Sequence, residues 1–123
     1  MTGSSTSEHA LPKPWEVWLA YVRFDDHPDV GKVRPVVILD NEASAIIVAN
    51  VTTAQPHDRY IYCELSDWEV EGLLRPSCVQ VMPLFRLGGK DILRDGPLGA
   101  LTERDRMALQ KALDAAGEEF GNL

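Results

Sequence analysis

From Trp15 onward, short apolar runs alternate with polar turns, and the spacing of the runs predicts a chain built mostly of strands. WEVWLAYV (15–22) is rich in β-formers and free of Gly and Pro, which predicts a first strand. RFDDHPDVGK (23–32) is charged and contains His27-Pro28 and Gly31, so a loop of about ten residues is expected there. VRPVVIL (33–39) predicts a second strand, with Pro35 tolerated at an edge or near the strand's start. A turn over DNEAS (40–44) leads to AIIVANVTT (45–53), a third strand dominated by β-branched residues.

AQPHD (54–58) predicts another turn, RYIYCEL (59–65) a fourth strand, and SCVQVM (77–82) a fifth. The acidic SDWEVEGLLRP (66–76) between the last two suggests a helical turn ending at Gly72. Residues 83–101, with Gly88, Gly89, Gly96, Pro83 and Pro97, leave room for one short strand near 94–100. The closing segment changes period. In LTERDRMALQKALDAA (101–116), Leu101, Met107, Leu109, Ala112, Leu113 and Ala116 recur mostly at helical spacing. Thr102 is the expected N-cap, with Asp105 three residues on as a variant of the capping box, and Gly117 the expected stop. Five or six short strands with turns every 8–12 residues and one terminal helix predict a mostly β fold, a small antiparallel β-barrel or sandwich. The expected layout is a flexible arm over 1–12, a domain over 13–117 and a tail over 118–123.

The 123 residues suit one domain. No apolar run reaches the roughly 18 residues of a membrane span, and MTGSSTSEHA has neither the basic nor the apolar region of a signal peptide, so a cytoplasmic protein is expected. Cys63 and Cys78 both lie in strand-like sequence and are expected as reduced core residues. Net charge is −7, from 19 acidic and 12 basic residues, which counts against broad phosphate-driven binding to nucleic acid but leaves a local basic site open.

Glycine-rich phosphate loops, Cys-x-x-Cys pairs, HExxH and GxSxG are all absent, and His9, His27 and His57 stand singly, so neither a metal nor a cofactor is expected. Polar residues at strand ends remain. Arg34, between Val33 and Pro35, is costly in an apolar strand unless it is paired or faces a cleft. Thr52-Thr53 close the third strand.

Together, GKVRPVVIL (31–39), VANVTT (48–53), EGLLRPSCV (71–79) and GPLGALTERD (96–105) resemble, in order and interval, the MazF/PemK family of toxins from type II toxin–antitoxin modules. The resemblance implies an SH3-like barrel with a C-terminal helix, a homodimer, a cognate antitoxin as partner, and metal-independent endoribonuclease activity on single-stranded mRNA. By position it implies Arg34 and Thr52 as the catalytic pair. His27, Lys32, Thr53, Ser77 and Gln80 become the expected RNA-binding residues, His27 being the histidine best placed to carry protons. A guanidinium suits the first role because it is planar, permanently charged and able to meet a phosphate with two hydrogen bonds. The chain departs from the family pattern at Trp15-Glu16, where a Gly-Asp pair is usual, and at Gln80 and Met82, where several members carry a basic residue and an Asp. Two alternatives stay open beside the ribonuclease: a degenerate barrel that only binds protein, and a gyrase poison of the CcdB type.

Overall fold

The computed structural model describes residues 11–24, 27–42, 45–53 and 61–121, the side chains of 24, 27–30, 42 and 118–121 excepted. Seven strands form a curled antiparallel sheet, half of a barrel, and one helix closes the chain. The strands are β1 (Glu16–Phe24), β2 (His27–Glu42), β3 (Ala45–Thr52), β4 (Ile61–Glu64), β5 (Cys78–Met82), β6 (Phe85–Leu87) and β7 (Gly99–Ala100), followed by α1 (Glu103–Gly121). Their spatial order is β4-β5-β3-β2-β1-β7, with β6 added to β3. One edge of β3 thus carries two partners in succession: β6 against Ile46–Val48, then β5 against Val51 and Thr52.

The centres of β2 and β3 are buried on both faces, since Val36, Val37 and Ile38, and Val48 through Val51, are all inaccessible. Alternate side chains feed two apolar clusters. Val17, Val37, Ala49, Val51, Val79 and Val81 meet Leu101, Leu109 and Ala116 under the helix. Trp18, Ala20, Val22, Val36, Ile38, Val48 and Leu87 fill the other face. Among the described residues no helix is long and apolar enough to cross a membrane.

The expected strands and the helix all form, and three details differ. Where a ten-residue loop was expected over 23–32, β1 runs to Phe24 and β2 begins at His27, residues 25–26 lying outside the described residues, with Arg23 paired to Gly31 and, across a register shift, Phe24 to His27. Gly31 permits it: a Cβ there would sit 2.7 Å from the Val22 carbonyl oxygen and 2.8 Å from the Tyr21 ring. Strand β6, three residues between turn formers, was not expected; it exists through its pairing with β3 and not through its own propensity. The helix runs past Gly117 to Gly121. Its buried face is Leu101, Asp105, Leu109 and Ala116, and Met107 is 64% exposed, outside the stripe that the apolar spacing suggested.

The start of α1 departs from a capping box in an instructive way. Thr102 Oγ1 accepts from the Asp105 amide at 3.3 Å, as an N-cap should. The Asp105 carboxylate does not turn back to Thr102. It accepts the amides of Ser66 (2.9 Å) and Asp67 (2.8 Å), and the Thr102 amide donates to Glu71 Oε2 at 3.0 Å. Asp67 in turn accepts from Thr102 Oγ1 at 2.6 Å and from Arg104. Those bonds, Arg104's first, hold the Asp67 carboxyl below the ordinary carboxylate range. The helix start is therefore capped by Thr102 and by the 66–77 segment together. Two glycines complete the junction. Gly72, at φ +91°, lies where a Cβ would be 2.3 Å from the Leu98 carbonyl oxygen, and a Cβ on Gly99 would be 2.4 Å from that of Glu71.

Glu71 is fully buried, and its Oε1 has no hydrogen-bond partner among the described residues. Burial first, and then the adjoining Asp105 carboxyl, push its own carboxyl up to about 7 from an ordinary 4.5. The folded chain thus keeps a proton that the unfolded chain releases earlier, so stability falls as pH rises through this interval and levels off above it. Thermal melts between about pH 5 and about pH 8 should show this decline in the wild type. Glu71→Gln, which mimics the protonated acid, should remove this part of the slope and melt higher than the wild type at the alkaline end. Parallel pH curves for the two proteins would refute it.

Candidate functional site

Arg34 sits in β2 opposite Ala20 of β1. On the other flank, β2 pairs with β3 through Val36↔Asn50, and continuing that register by two residues sets Thr52 across from Arg34. Opposed residues of an antiparallel pair share a face. Thr52 pairs with Cys78 at the start of β5, which places Ser77 at the same end of the sheet. The outcome is a groove of about 410 Å³ lined by Lys32, Arg34, Thr52, Thr53 and Ser77, with Val33, Pro35 and Val51 completing its wall. Five residues singled out from three separate sequence segments thus meet in one place. Arg34, Thr52 and Ser77 are half-buried; Lys32 and Thr53 are exposed.

One expected RNA-binding residue with a described side chain, Gln80, is not part of this lining. Gln80 turns its side chain to the Met82 carbonyl, Nε2 donating at 3.3 Å. His27 opens β2 instead of lying in a loop, and its side chain falls outside the described residues, as do His9 and His57 entirely. Cys63 and Cys78 are buried free thiols on the adjacent strands β4 and β5. Burial pushes both thiols upward, which keeps them protonated and unreactive.

A second cleft, of about 500 Å³, opens beside the first and shares Pro35, Thr53 and Ser77 with it. Its other walls are Leu19, Gly72, Leu73, Leu74, Arg75 and Leu98. Sequence reasoning missed Arg75, because EGLLRPS is irregular and no period says which way its side chains face. Ser77 Oγ donates to the Arg75 carbonyl at 2.7 Å and fixes the turn. Among the described residues no carboxylate lines either cleft, although the chain carries 19 acidic residues. The local charge is therefore opposite to the global one, which suits an anionic ligand.

The acidic residues converge elsewhere. Asp67, Glu71 and Asp105 offer oxygens within 4.8 Å of one another, a spacing that could hold a cation. The donors described above already occupy that cluster, with Arg104 supplying its counter-charge at 2.5 Å, so a shared proton fits it better than a metal does.

Asn50, two residues before Thr52 on the same strand face, also escaped notice in the sequence. It is buried, and its Oδ1 has no partner among the described residues. A buried unpaired carbonyl costs about 1–3 kcal/mol. Asn50→Leu should therefore raise the stability measured by urea unfolding, by about 1 kcal/mol. A destabilised variant would show that the amide is satisfied after all.

Comparison with known proteins bears on this geometry. The family model of the PemK-like, MazF-like toxin of type II toxin–antitoxin system matches residues 13–116. Among solved structures, the Mycobacterium tuberculosis toxin MazF-mt6 superposes with a TM-score of 0.58 at 24% identity, covering 82% of this chain and 96% of its own, a likeness of fold. No curated protein matches the sequence.

Proposed function

The chain belongs to the PemK-like, MazF-like family of type II toxins, and from that premise we propose that it is a metal-independent endoribonuclease acting on single-stranded mRNA, a cytoplasmic homodimer held in check by a cognate antitoxin. The observation that carries the reading is the shared groove of Arg34, Thr52, Lys32, Thr53 and Ser77.

In the proposed reaction the ribose 2′-oxygen attacks the neighbouring phosphorus. The 5′-oxygen leaves with a proton, giving a 2′,3′-cyclic phosphate and a 5′-hydroxyl end. Negative charge grows on the non-bridging oxygens during attack, and the Arg34 guanidinium meets two of them at once in a half-dry site where such contacts strengthen. A guanidinium does not give up its proton in a protein, so it cannot be the base and its role is electrostatic. The Thr52 hydroxyl, across the strand pair, donates a hydrogen bond to the phosphate or orients the 2′-hydroxyl. Lys32 and the hydroxyls of Thr53 and Ser77 hold the flanking backbone. His27, which opens β2, is the histidine proposed to take the 2′-hydroxyl proton.

The test is cleavage of a long single-stranded RNA in the presence of EDTA. Wild-type protein should cut it. Arg34→Ala should lose several orders of magnitude in rate, and Arg34→Lys should not restore it, since a point charge cannot make the two-pronged contact. Thr52→Ala should cost roughly 10- to 1000-fold, the range for one oriented donor in a transition state. Undiminished cleavage by Arg34→Ala, or loss of wild-type cleavage in EDTA, would defeat the assignment.

A further inference from the structure

The cleft beside the Arg34 groove has no part in the chemistry above, yet its construction is specific. Its wall is apolar, from Leu19, Pro35, Leu73, Leu74 and Leu98, and its polar groups are one guanidinium, Arg75, and the hydroxyls of Thr53 and Ser77. The wall is also held firmly. Gly72 and Leu98 both line the cleft and lie in backbone contact, and the positive φ at Gly72 is what permits that approach. Leu74 is nonetheless 93% exposed, an apolar side chain left in water at the mouth.

An occupant must satisfy three conditions: an apolar face for the leucines, hydrogen-bonding edges for two hydroxyls, and negative charge within reach of Arg75. It must also be continuous with whatever lies on Arg34, because Pro35, Thr53 and Ser77 border both spaces. A nucleotide next to a phosphate held at Arg34 meets all of these. Its base offers a π-face and polar edges, and its own phosphate lies one backbone step away. Among the described residues the charged groups of the two linings are Lys32, Arg34 and Arg75, all cationic, which favours a polyanion over an acidic-surfaced protein such as a second copy.

We propose that the cleft between Leu74 and Leu98 is a base-binding subsite for the unpaired nucleotide adjoining the scissile phosphate, with Leu74 as its stacking surface and Arg75 contacting that nucleotide's phosphate or base edge. This deepens the ribonuclease reading and rests on it. Leu74 and Arg75 are then specificity-determining residues and not catalytic ones.

The experiment compares the full-length wild type with Leu74→Ala, Arg75→Ala and Arg86→Ala, the last an exposed cation on β6 outside both clefts. Cleavage of a single-stranded RNA pool randomised over a short stretch is read by sequencing the cut ends. Binding is read by fluorescence anisotropy on an RNA carrying a 2′-deoxy sugar at the cut position. The proposal expects Leu74→Ala and Arg75→Ala to relax base preference at one position beside the cut. Both should bind the uncut RNA roughly 5- to 100-fold more weakly, the range for losing one stacked base, with KM rising and kcat little changed. Arg86→Ala should match wild type.

Unaltered preference and affinity in both variants would overturn the subsite and leave the ribonuclease reading standing. Variant-sensitive binding without wild-type cleavage would uphold the subsite and remove the nuclease. If the wild type neither binds nor cuts, both fall. If Leu74→Ala lowers the sedimentation mass from two chains to one while base preference stays as in wild type, the cleft is a subunit contact and the proposal fails.

Discussion

The arrangement depends on one buried acid. Glu71 lies in a dry position between the 66–77 segment and the start of α1, where an ionised carboxylate would be expensive. Asp105 beside it accepts two backbone amides, those of Ser66 and Asp67. Burial first, and then the adjoining Asp105 carboxyl, raise the Glu71 carboxyl above its ordinary range, and its Oε2 accepts the Thr102 amide. The segment pinned this way supplies Leu73, Leu74, Arg75 and Ser77 to the clefts. A helix cap on one side of the domain thereby sets the wall of the site on the other.

Net charge and local charge pull apart here for the same reason. Carboxylates tolerate crowding only where amides, hydroxyls or arginines answer them, and the helix junction supplies all three around Asp67, Glu71 and Asp105. The end of the sheet where β2, β3 and β5 meet presents side chains of Lys, Arg, Thr and Ser and, among the described residues, no acid. An overall pI near 4.8 therefore describes the surface and says little about this corner.

The parts legible from the sequence were those with a period or a repeated residue type. β-Branched runs announced β2 and β3, and the helical spacing of Leu109, Ala112, Leu113 and Ala116 announced α1. Arg34 and Thr52 could be singled out because each is out of place or terminal in its strand. Their meeting was less accessible: counting from the turn suggested diagonal neighbours, and the β2–β3 register, running as far as Val36↔Asn50, brings both to one end of the strand pair, where they line one groove. What escaped was what tertiary contact decides. Strand β6 exists through its pairing with β3, the β1–β2 hairpin through the missing Cβ of Gly31, and the reach of Asp105 through the amides of a segment nearly forty residues away. Arg75 and Asn50 were invisible for the opposite reason, since nothing in their immediate neighbours marks a side chain as facing a cleft or as buried without a partner.

Three cations are a modest electrostatic endowment. Each phosphate contact on a single strand releases on the order of 0.7 counterions, so Lys32, Arg34 and Arg75 together can supply only a shallow, salt-sensitive attraction, while the acidic remainder of the surface repels the rest of a long polyanion. A basic protein would hold RNA anywhere along its length. On the proposed function, this one gains from RNA where a backbone reaches the Arg34 groove, and there the opposing long-range field is overcome by short-range contacts. Apolar wall, hydroxyls and guanidinium in adjoining clefts are contacts of that kind, because stacking and oriented hydrogen bonds do not weaken as salt screens charge. On the proposed function, an acidic chain with a cationic corner is in this sense suited to discrimination: the net charge suppresses loose association, and what binding survives depends on the fit of the bound nucleotides.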